Sequence, residues 1–461
     1  MKDEYSSPVR RYGSSSDPDT SENETPSAAR ILPVMLTRAS LTRKHQKWDY
    51  SRQPSETLHV PQVSAFCPPE PPIRSKDSPP LFPTPMYDVL HTNIPRSLME
   101  FSDLPFKPDS LIFPSRQDVL EYVGAYAQSV KHLIRFSTQV KEVVLRDEAG
   151  RDRWELTAES LVTGDSDSAV YDAVVVASGH YATVNIPEIR RIAEFHKAHP
   201  GVITHSKSYR SAADFTGKKV LIVGNGISGL DIAAQISRVC REPLLLAARS
   251  PTPQLNLDHA RAEEVPEVDE FLPSERGVRF TDGRVEKDLD AVIFATGFLF
   301  TFPFLADSKP PLVTNGRRVY GLYRDLFHID HPSLVFSALP IRVVPFAVAE
   351  SQAALFARVW ANKLPLPCAE DMKQWEKDAA EKRGENFHVY PPLGDAEFVN
   401  EIHDLARESK APGKMPPRWS DELVWQRRVY SEAKLRFEVQ GRTARSLEEL
   451  GFAYEPSQAG V

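Results

Sequence analysis

The sequence contains few cysteines, and the three it has, Cys67, Cys240 and Cys368, lie far apart. They form neither a CxxC redox pair nor a cluster with metal-ligand spacing, which argues against a dithiol reductase and against a cysteine-based metal site. This cysteine usage favours a reduced, cytoplasmic setting.

Excess positive charge and long apolar runs are also lacking. The formal net charge is -7, so no basic surface is predicted to attract a nucleic acid. No run of about 18 apolar residues occurs, so no membrane span is predicted. The N-terminus has no apolar stretch of the secretory type.

Glycine is missing from Ser14 to Val123. Residues 1–85 are rich in Ser, Pro and charge, and residues 68–85 read PPEPPIRSKDSPPLFPTP. Such a segment cannot recover its ordering entropy by burial, and its prolines cannot continue a helix. We therefore predict that residues 1–85 form a disordered, proline-rich N-terminal segment and that order begins near Met86.

The segment KKVLIVGNGISGLDIAAQIS, at 218–237, carries the most specific motif. Its glycines match G-x-G-x-x-G between an apolar strand and a helix, as in dinucleotide-binding turns. The first allows a tight turn, the second lets backbone approach a pyrophosphate, and the third lets helix and strand pack closely. A glycine-rich connection without a ligand is the alternative. The motif predicts a nucleotide site formed by Gly224, Gly226, Ser228, Gly229, Leu230 and Asp231.

The end of the next predicted strand indicates which nucleotide binds. An NAD site would carry an acid about 20 residues after the turn, but this chain has Arg249 and Ser250 there. A guanidinium can form a bidentate, charge-assisted pair with a 2′-phosphate. These residues therefore predict NADPH, with a solvated surface arginine as the alternative.

Two apolar strands that end in glycine, VVVASGHY and VIFATGF, flank this unit. In flavoprotein oxidoreductases such strands return the chain from an inserted NADPH domain to a flavin domain. Taken alone, either glycine would be ordinary punctuation between a strand and a loop. The pattern of strands and helices predicts an α/β fold. The likeness to flavoproteins implies two Rossmann-like dinucleotide-binding domains, with the NADPH domain inserted in an incomplete FAD domain. We place the domains at 86–205 (first part of an FAD-type domain), 206–289 (NADPH domain) and 290–455 (second FAD-type part and C-terminal helices).

The segment PGVITHSKSY, at 200–209, resembles the fingerprint of the flavin-containing monooxygenases, F-x-G-x-x-x-H-x-x-x-[YF]. His205 and Tyr209 match it, and His199 stands where the family has Phe. Related Baeyer–Villiger enzymes have Trp at the position of Tyr209, which argues against ketone-to-ester chemistry. An amino-acid N-hydroxylase is a further alternative that this fingerprint disfavours.

A second likeness lies at 86–106, MYDVLHTNIPRSLMEFSDLPF, which is similar to the family segment with an active-site Asn. The resemblance implies that Asn93 is catalytic and that Thr92, Asn93 and Ile94 contact the cofactors. It also implies that His205 and Tyr209 belong to the cofactor site, as does Trp48, in KWDY. From the residues alone, Asn93 would be a turn residue before Pro95.

The resemblance implies an enzyme that binds FAD, uses NADPH and O2, and oxygenates an amine nitrogen or a sulfur of a small molecule. The protein's share is positioning and water exclusion, because the flavin carries the chemistry. No motif in the sequence identifies the substrate. A role in secondary metabolism is a hypothesis. A homodimer is left open.

The chain departs from this family at its N-terminal end. Family members carry a first G-x-G-x-x-G there for FAD, and the glycine-free stretch from Ser14 to Val123 cannot supply one. Three accounts are open: an upstream segment omitted from the gene model, an inactive NADPH-binding homologue, or flavin binding of another kind. Loss of a central strand predicts a poorly stable chain.

Overall fold

The computed structural model describes residues 84–456 together with three short upstream stretches, 31–34, 73–75 and 78–81. The strands are β1 (Ile31–Val34), β2 (Ile73–Ser75), β3 (Ser78–Leu81), β4 (Thr138–Glu148), β5 (Arg151–Ser160), β6 (Ser166–Tyr171), β7 (Ala173–Val176), β8 (Thr183–Val184), β9 (Ile203–His205), β10 (Val220–Val223), β11 (Leu244–Ala247), β12 (Ala262–Val265), β13 (Val268–Leu272), β14 (Gly277–Phe280), β15 (Val285–Glu286), β16 (Ala291–Phe294), β17 (Phe298–Leu299), β18 (Leu322–Tyr323), β19 (Phe327–His328) and β20 (Leu334–Phe336). The helices are α1 (Arg96–Met99), α2 (Arg116–Tyr126), α3 (Ile192–Ala198), α4 (Ile227–Ile236), α5 (Gln254–Ala260), α6 (Pro345–Trp360), α7 (Ala369–Arg383), α8 (Gly394–Glu408) and α9 (Asp421–Val439).

Two five-stranded sheets define the architecture. The first has the order β1-β7-β20-β19-β18, and the second has the order β12-β11-β10-β16-β9 with parallel pairing throughout. Strands β7, β10 and β16 are short apolar runs, as expected where side chains are covered on both faces of a parallel sheet. The predicted α/β fold with two Rossmann-like units is confirmed.

A helix and a third sheet precede the inserted domain. Ser115 caps α2 in a capping box with Asp118. β4 and β5 form a hairpin that pairs with β6 in an antiparallel sheet. None of the helices within residues 84–456 is long and apolar enough to cross a membrane.

The predicted boundaries of the NADPH domain, 206 and 289, are wrong. Strands β9 and β16 belong to the sheet of this domain, although the boundaries placed them in the FAD-type parts. Helix α3 joins the same unit, since Ile192 and Phe195 pack in one core with Phe271 and Phe294. The inserted domain therefore runs from about 185 to 297, because its sheet needs strands from both flanks of the glycine turn.

The two crossings between the domains pair with each other. β8 and β17 form a short antiparallel ladder, with Val184 opposite Phe298. Beside it, the Asn185 N–H donates to the Gly297 carbonyl at 3.0 Å, and the Thr183 and Thr301 hydroxyls lie 2.8 Å apart. The inserted domain thus leaves and rejoins the rest of the chain at one place.

The prediction that residues 1–85 lack regular structure is wrong at three places, namely β1, β2 and β3. β2 and β3 pair as an antiparallel hairpin, and β1 pairs in parallel with β7. β7 therefore has a paired strand on both sides, β1 and β20. Pro33 is tolerated in β1 because an edge strand of the described sheet has one side free of ladder bonds.

Candidate nucleotide-binding site

The glycine turn lies at the carboxyl end of β10, in the middle of the second sheet. Gly224 has a φ of +110°, which an L side chain rarely adopts, and a Cβ there would lie 2.7 Å from the Ala295 carbonyl oxygen. Its N–H donates to the Ala247 carbonyl at 2.9 Å. The turn is therefore hydrogen-bonded to the end of β11 and lies close against the residue that follows β16.

The other two glycines of the motif have different surroundings. A Cβ on Gly229 would lie 2.0 Å from the Gly224 carbonyl oxygen, whereas a Cβ on Gly226 would meet no atom within 4 Å. Gly229 is thus required for packing of α4 against the turn. Gly226 borders open space, as a backbone that receives a pyrophosphate must.

The first turn of α4 is free of protein anions. Gly226 is its N-cap residue, no side chain caps the helix, and the first turn contains no acid. Gly226, Ile227 and Ser228 are exposed, while Leu230 is half-buried. Unsatisfied N–H groups and the positive end of the helix dipole thus face a place where phosphates can lie. The turn fits the pyrophosphate of NADPH.

Arg249 and Ser250 follow β11 at the same edge of the sheet. The Asn225 amide ties the glycine turn to this segment, since its Nδ2 donates to the Ser250 carbonyl at 2.8 Å and to Thr252 Oγ1 at 2.9 Å. The side chain of Arg249 is 85% exposed, and its Nε donates to Glu267 Oε1 at 3.0 Å. The structure therefore brings the arginine and the glycine turn together, and it adds an acid that the sequence motif did not reveal.

His205 connects β9 to the second crossing. Its Nδ1 accepts from the Lys207 N–H at 3.1 Å, so Nε2 carries the proton and donates to the Gly297 carbonyl at 3.1 Å. Burial lowers the pKa of His205 to about 4, so the ring is neutral. Both ring nitrogens thus bond to described residues at the domain junction, and contact of His205 with a cofactor stays a prediction.

Tyr209 and Asp231 also direct their polar atoms into the protein. The Tyr209 hydroxyl donates to Gln235 Oε1 at 2.9 Å, and Gln235 Nε2 donates to Asp231 Oδ2 at 3.0 Å. The Tyr87 hydroxyl also donates to Asp231, in a short hydrogen bond. These two side chains therefore belong to a largely buried cluster that includes part of α4, and their contact with the nucleotide stays a prediction.

Asn93 lies between β3 and α1, in a segment held against residues 112–116. The Thr92 N–H donates to the Pro114 carbonyl at 2.9 Å, and Thr92 Oγ1 donates to the Ile94 carbonyl at 2.9 Å. Asn93 itself is half-buried, and its amide bonds to no other described residue. It is thus available to a ligand. Trp48 lies outside the described residues.

Features expected of a flavin site are present in part. His180 follows β7. Gln352, on α6, accepts a hydrogen bond from the N–H of Ala338, which lies just after β20. His180 Nε2 and Gln352 Nε2 are buried without a partner among the described residues. Ligands of open α/β sheets bind near such carboxyl ends of strands. However, β1 is followed by Met35, Leu36 and Thr37, so it lacks the glycine turn that would hold FAD phosphates.

The paired sheets and the glycine turn define a nucleotide-binding α/β protein of the Rossmann type. A family model described as "Flavin-binding monooxygenase-like" matches residues 77–256 and 263–416. The chain belongs to this family, and the resemblance inferred from its motifs is confirmed. Family members bind FAD and use NADPH, which supports the expected enzyme class and cofactors.

Curated relatives share about a third of the aligned residues. The chain is 31% identical over 357 residues to the thiol-specific monooxygenase of Saccharomyces cerevisiae. This alignment covers 74% of this chain and 78% of the yeast protein. It is 32% identical over 310 residues to the flavin-containing monooxygenase FMO GS-OX1 of Arabidopsis thaliana, which covers 63% of this chain and 64% of the relative. The chain thus spans somewhat less than two thirds of the length of the plant relative.

Solved structures show the same fold. S-allyl-L-cysteine S-oxygenase from Allium sativum superposes with a TM-score of 0.65 at 24% identity, over 86% of this chain and 88% of that one. Tmm from a Pelagibacter strain gives a TM-score of 0.63 at 24% identity, over 77% and 78% of the two chains. At this identity the likeness concerns the fold alone.

Proposed function

We propose that this protein is an NADPH- and O2-dependent flavin monooxygenase that oxygenates a nucleophilic sulfur or nitrogen of a small molecule. The net reaction transfers one oxygen atom of O2 to the substrate and reduces the other to water, with NADPH and a proton supplying two electrons and two protons. The glycine turn, with open space at Gly226 and no side-chain cap on α4, is the observation that supports the NADPH half.

NADPH would be held at both ends of its adenosine diphosphate part. The N–H groups of the turn and of α4 would receive the pyrophosphate, and Arg249 and Ser250 would receive the 2′-phosphate. Asn93 would then donate its amide to the nicotinamide and keep the ring in place. The described residues offer no comparable phosphate turn for FAD, which supplies oxygen activation when bound.

Sulfur is the favoured atom of the substrate. One relative is called a thiol-specific monooxygenase, and a structure of the same fold is an S-oxygenase. No protein acid or base is required for transfer to a soft nucleophile, so the protein's part is to hold the substrate and exclude water. Amines remain the second class to assay.

The 2′-phosphate assignment is tested by Arg249→Glu. A charge-assisted pair is worth about 1.5–3 kcal/mol, so we expect NADPH affinity to fall by about tenfold or more while NADH affinity stays the same. Affinity is measured by nucleotide fluorescence. Arg241→Glu, at the opposite end of β11, is the matched control, because it makes the same charge change on another exposed arginine. Equal loss of both nucleotides would refute the assignment.

An NADPH-binding protein without catalysis is the second candidate, and the glycine-free stretch beside β1 favours it. Incubation of the purified chain with FAD, followed by absorbance, separates the two. Bound flavin that bleaches with NADPH and returns in air, with oxygen uptake stimulated by thiols, supports the monooxygenase. NADPH binding without flavin supports the second candidate.

A further inference from the structure

A buried polar cluster joins the inserted domain to the segment that carries Asn93. We call Tyr87, Tyr209, Asp231, Gln235 and Arg442 the Asp231 cluster. Its members come from three parts of the chain: the segment before Asn93, the inserted domain, and the residues after α9. The Asp231 carboxylate is the shared acceptor, with donors from Tyr87, Gln235 at 3.0 Å and Arg442 at 3.4 Å.

The cluster is well packed and largely buried, although the side chains of Asp231 and Arg442 keep 17% and 21% of their surface exposed. Tyr87 and Tyr209 are 5% and 3% exposed, and their rings meet edge to face with centroids 5.2 Å apart. Burial raises the pKa of the Asp231 carboxyl. A carboxylate in such a place is costly unless several donors satisfy it, so its bonds fix the relative positions of the groups that donate to it.

Two of these donors are also connected to the segment that carries Asn93. Tyr87 is part of that segment, six residues before Asn93. Arg442 donates from Nη1 to the Val89 carbonyl at 2.8 Å and from Nε to Glu438 Oε2 at 2.5 Å. Asp231 itself lies on α4, the helix whose N-terminus forms the nucleotide turn. One carboxylate therefore connects the nucleotide helix to the segment with the available amide.

We propose that Asp231, through Tyr87 and Arg442, is a positioning residue that sets Asn93 against the nicotinamide of NADPH bound at the glycine turn. The proposal rests on the proposed function, since it assumes that Asn93 contacts this nucleotide. It adds that the contact depends on a cluster that does not touch the nucleotide. Without the cluster, the turn still binds phosphates but the Asn93 segment is no longer held in register with α4.

A double-mutant cycle on NADPH affinity tests this without any need for flavin. Tyr87→Phe removes one hydroxyl and keeps the ring packing, and Asn93→Ala removes the amide. If the two act as one unit, each single variant weakens NADPH binding by about threefold to tenfold, the usual range for a lost hydrogen bond, and the double variant is no weaker than Asn93→Ala. Binding of 2′,5′-ADP, which lacks the nicotinamide, stays unchanged in all three.

The other outcomes overturn specific statements. Additive losses, or an equal loss of 2′,5′-ADP binding, would mean that Tyr87 has only a general structural role. If Asn93→Ala weakens NADPH binding and Tyr87→Phe does not, the positioning proposal fails while the proposed function stands. If Asn93→Ala has no effect, the assigned role of Asn93 fails and the positioning proposal fails with it.

Two further variants distinguish the expected result from a general folding defect. Arg442→Gln removes the second tie to the segment and is expected to repeat the non-additive result with Asn93→Ala. Tyr126→Phe is the matched control, because it removes a tyrosine hydroxyl that takes part in a hydrogen bond outside the cluster, accepting from Lys414 Nζ at 2.8 Å. We expect Tyr126→Phe to leave NADPH affinity within about twofold of the unchanged chain.

Discussion

Gly226 and Gly229 lie three residues apart in one motif, but their surroundings in the structure differ. A side chain on Gly229 would overlap the Gly224 carbonyl, whereas one on Gly226 would enter open space. The φ of Gly226 is −70°, which alanine adopts freely. We therefore expect Gly229→Ala to damage the fold and Gly226→Ala to damage nucleotide binding.

Thermal unfolding and NADPH titration of the two variants check this prediction. Gly229→Ala should lose about 3 kcal/mol of unfolding free energy, typical of overpacking. Gly226→Ala should keep its stability within about 0.5 kcal/mol, as exposed substitutions do, yet lose about tenfold or more in NADPH affinity. The two glycines are each other's control. A stable Gly226→Ala variant with full NADPH affinity would contradict the assigned site.

The positions of residues that share one local motif could be predicted from the sequence. Contacts between residues far apart in the sequence could not. The placement of Gly224, Gly226 and Arg249 at one edge of the sheet could be predicted from spacing, because one βαβ unit positions all three. Tyr87 and Asp231 are 144 positions apart, so no local signal reveals their hydrogen bond. His205 was expected at a cofactor because of its fingerprint position; its ring bonds within the domain junction could not be predicted from that position, and its contact with a cofactor stays a prediction.

At the scale of elements, the junction of β9 with the second crossing should respond to acid. His205 is neutral in the folded chain, with its pKa lowered by burial from 6.5 to about 4. The unfolded chain therefore binds an additional proton between these pH values, so stability is present at neutral pH and falls as the pH drops below 6.5. Linkage predicts a loss of about 2 kcal/mol from this residue between about pH 7 and pH 5.

Denaturant unfolding of His205→Gln at the two pH values measures this contribution. Glutamine keeps a donor for the Gly297 carbonyl but does not titrate, so the variant should be less stable near neutrality and lose less on acidification. His132→Gln, on an exposed histidine, is the control and is expected to follow the unchanged chain. Parallel pH profiles for His205→Gln and the unchanged chain would contradict the explanation.

Elements with a strong period were predicted well, and their sheet membership was not. β7 and β16 were expected from apolar runs that end in glycine, and β10 and α4 from the glycine motif between an apolar run and a helix. β9 and β16 were nevertheless assigned to the wrong domain, because strand pairing is set by contacts that a local pattern does not contain. β1 was missed for a related reason, since it has only four residues, includes Pro33 and pairs with a strand about 140 positions later.

At the scale of the whole molecule, the inserted domain has its own sheet and its own cores. All strands of the second sheet lie between residues 203 and 294. One core cluster is built wholly from residues 184–294, and the other takes only Tyr87 and Leu90 from elsewhere. The chain enters and leaves through β8 and β17, which are hydrogen-bonded neighbours. Such an arrangement is typical of a domain that can fold alone.

We therefore expect a fragment of residues 183–299 to fold and to bind NADPH. The glycine turn, Arg249 and Ser250 all lie inside it, so its affinity for 2′,5′-ADP should stay within about threefold of the whole chain, a change of less than 1 kcal/mol. NADPH, in contrast, should bind the fragment less tightly than the whole chain, because Asn93 is absent. Circular dichroism, thermal unfolding and nucleotide titration test this, with Arg249→Glu in the fragment as the control. An unfolded fragment would show that contacts such as Tyr87 with Asp231 are needed to form the domain. Equal NADPH affinity in the fragment and the whole chain would contradict the assignment of Asn93 to the nucleotide site.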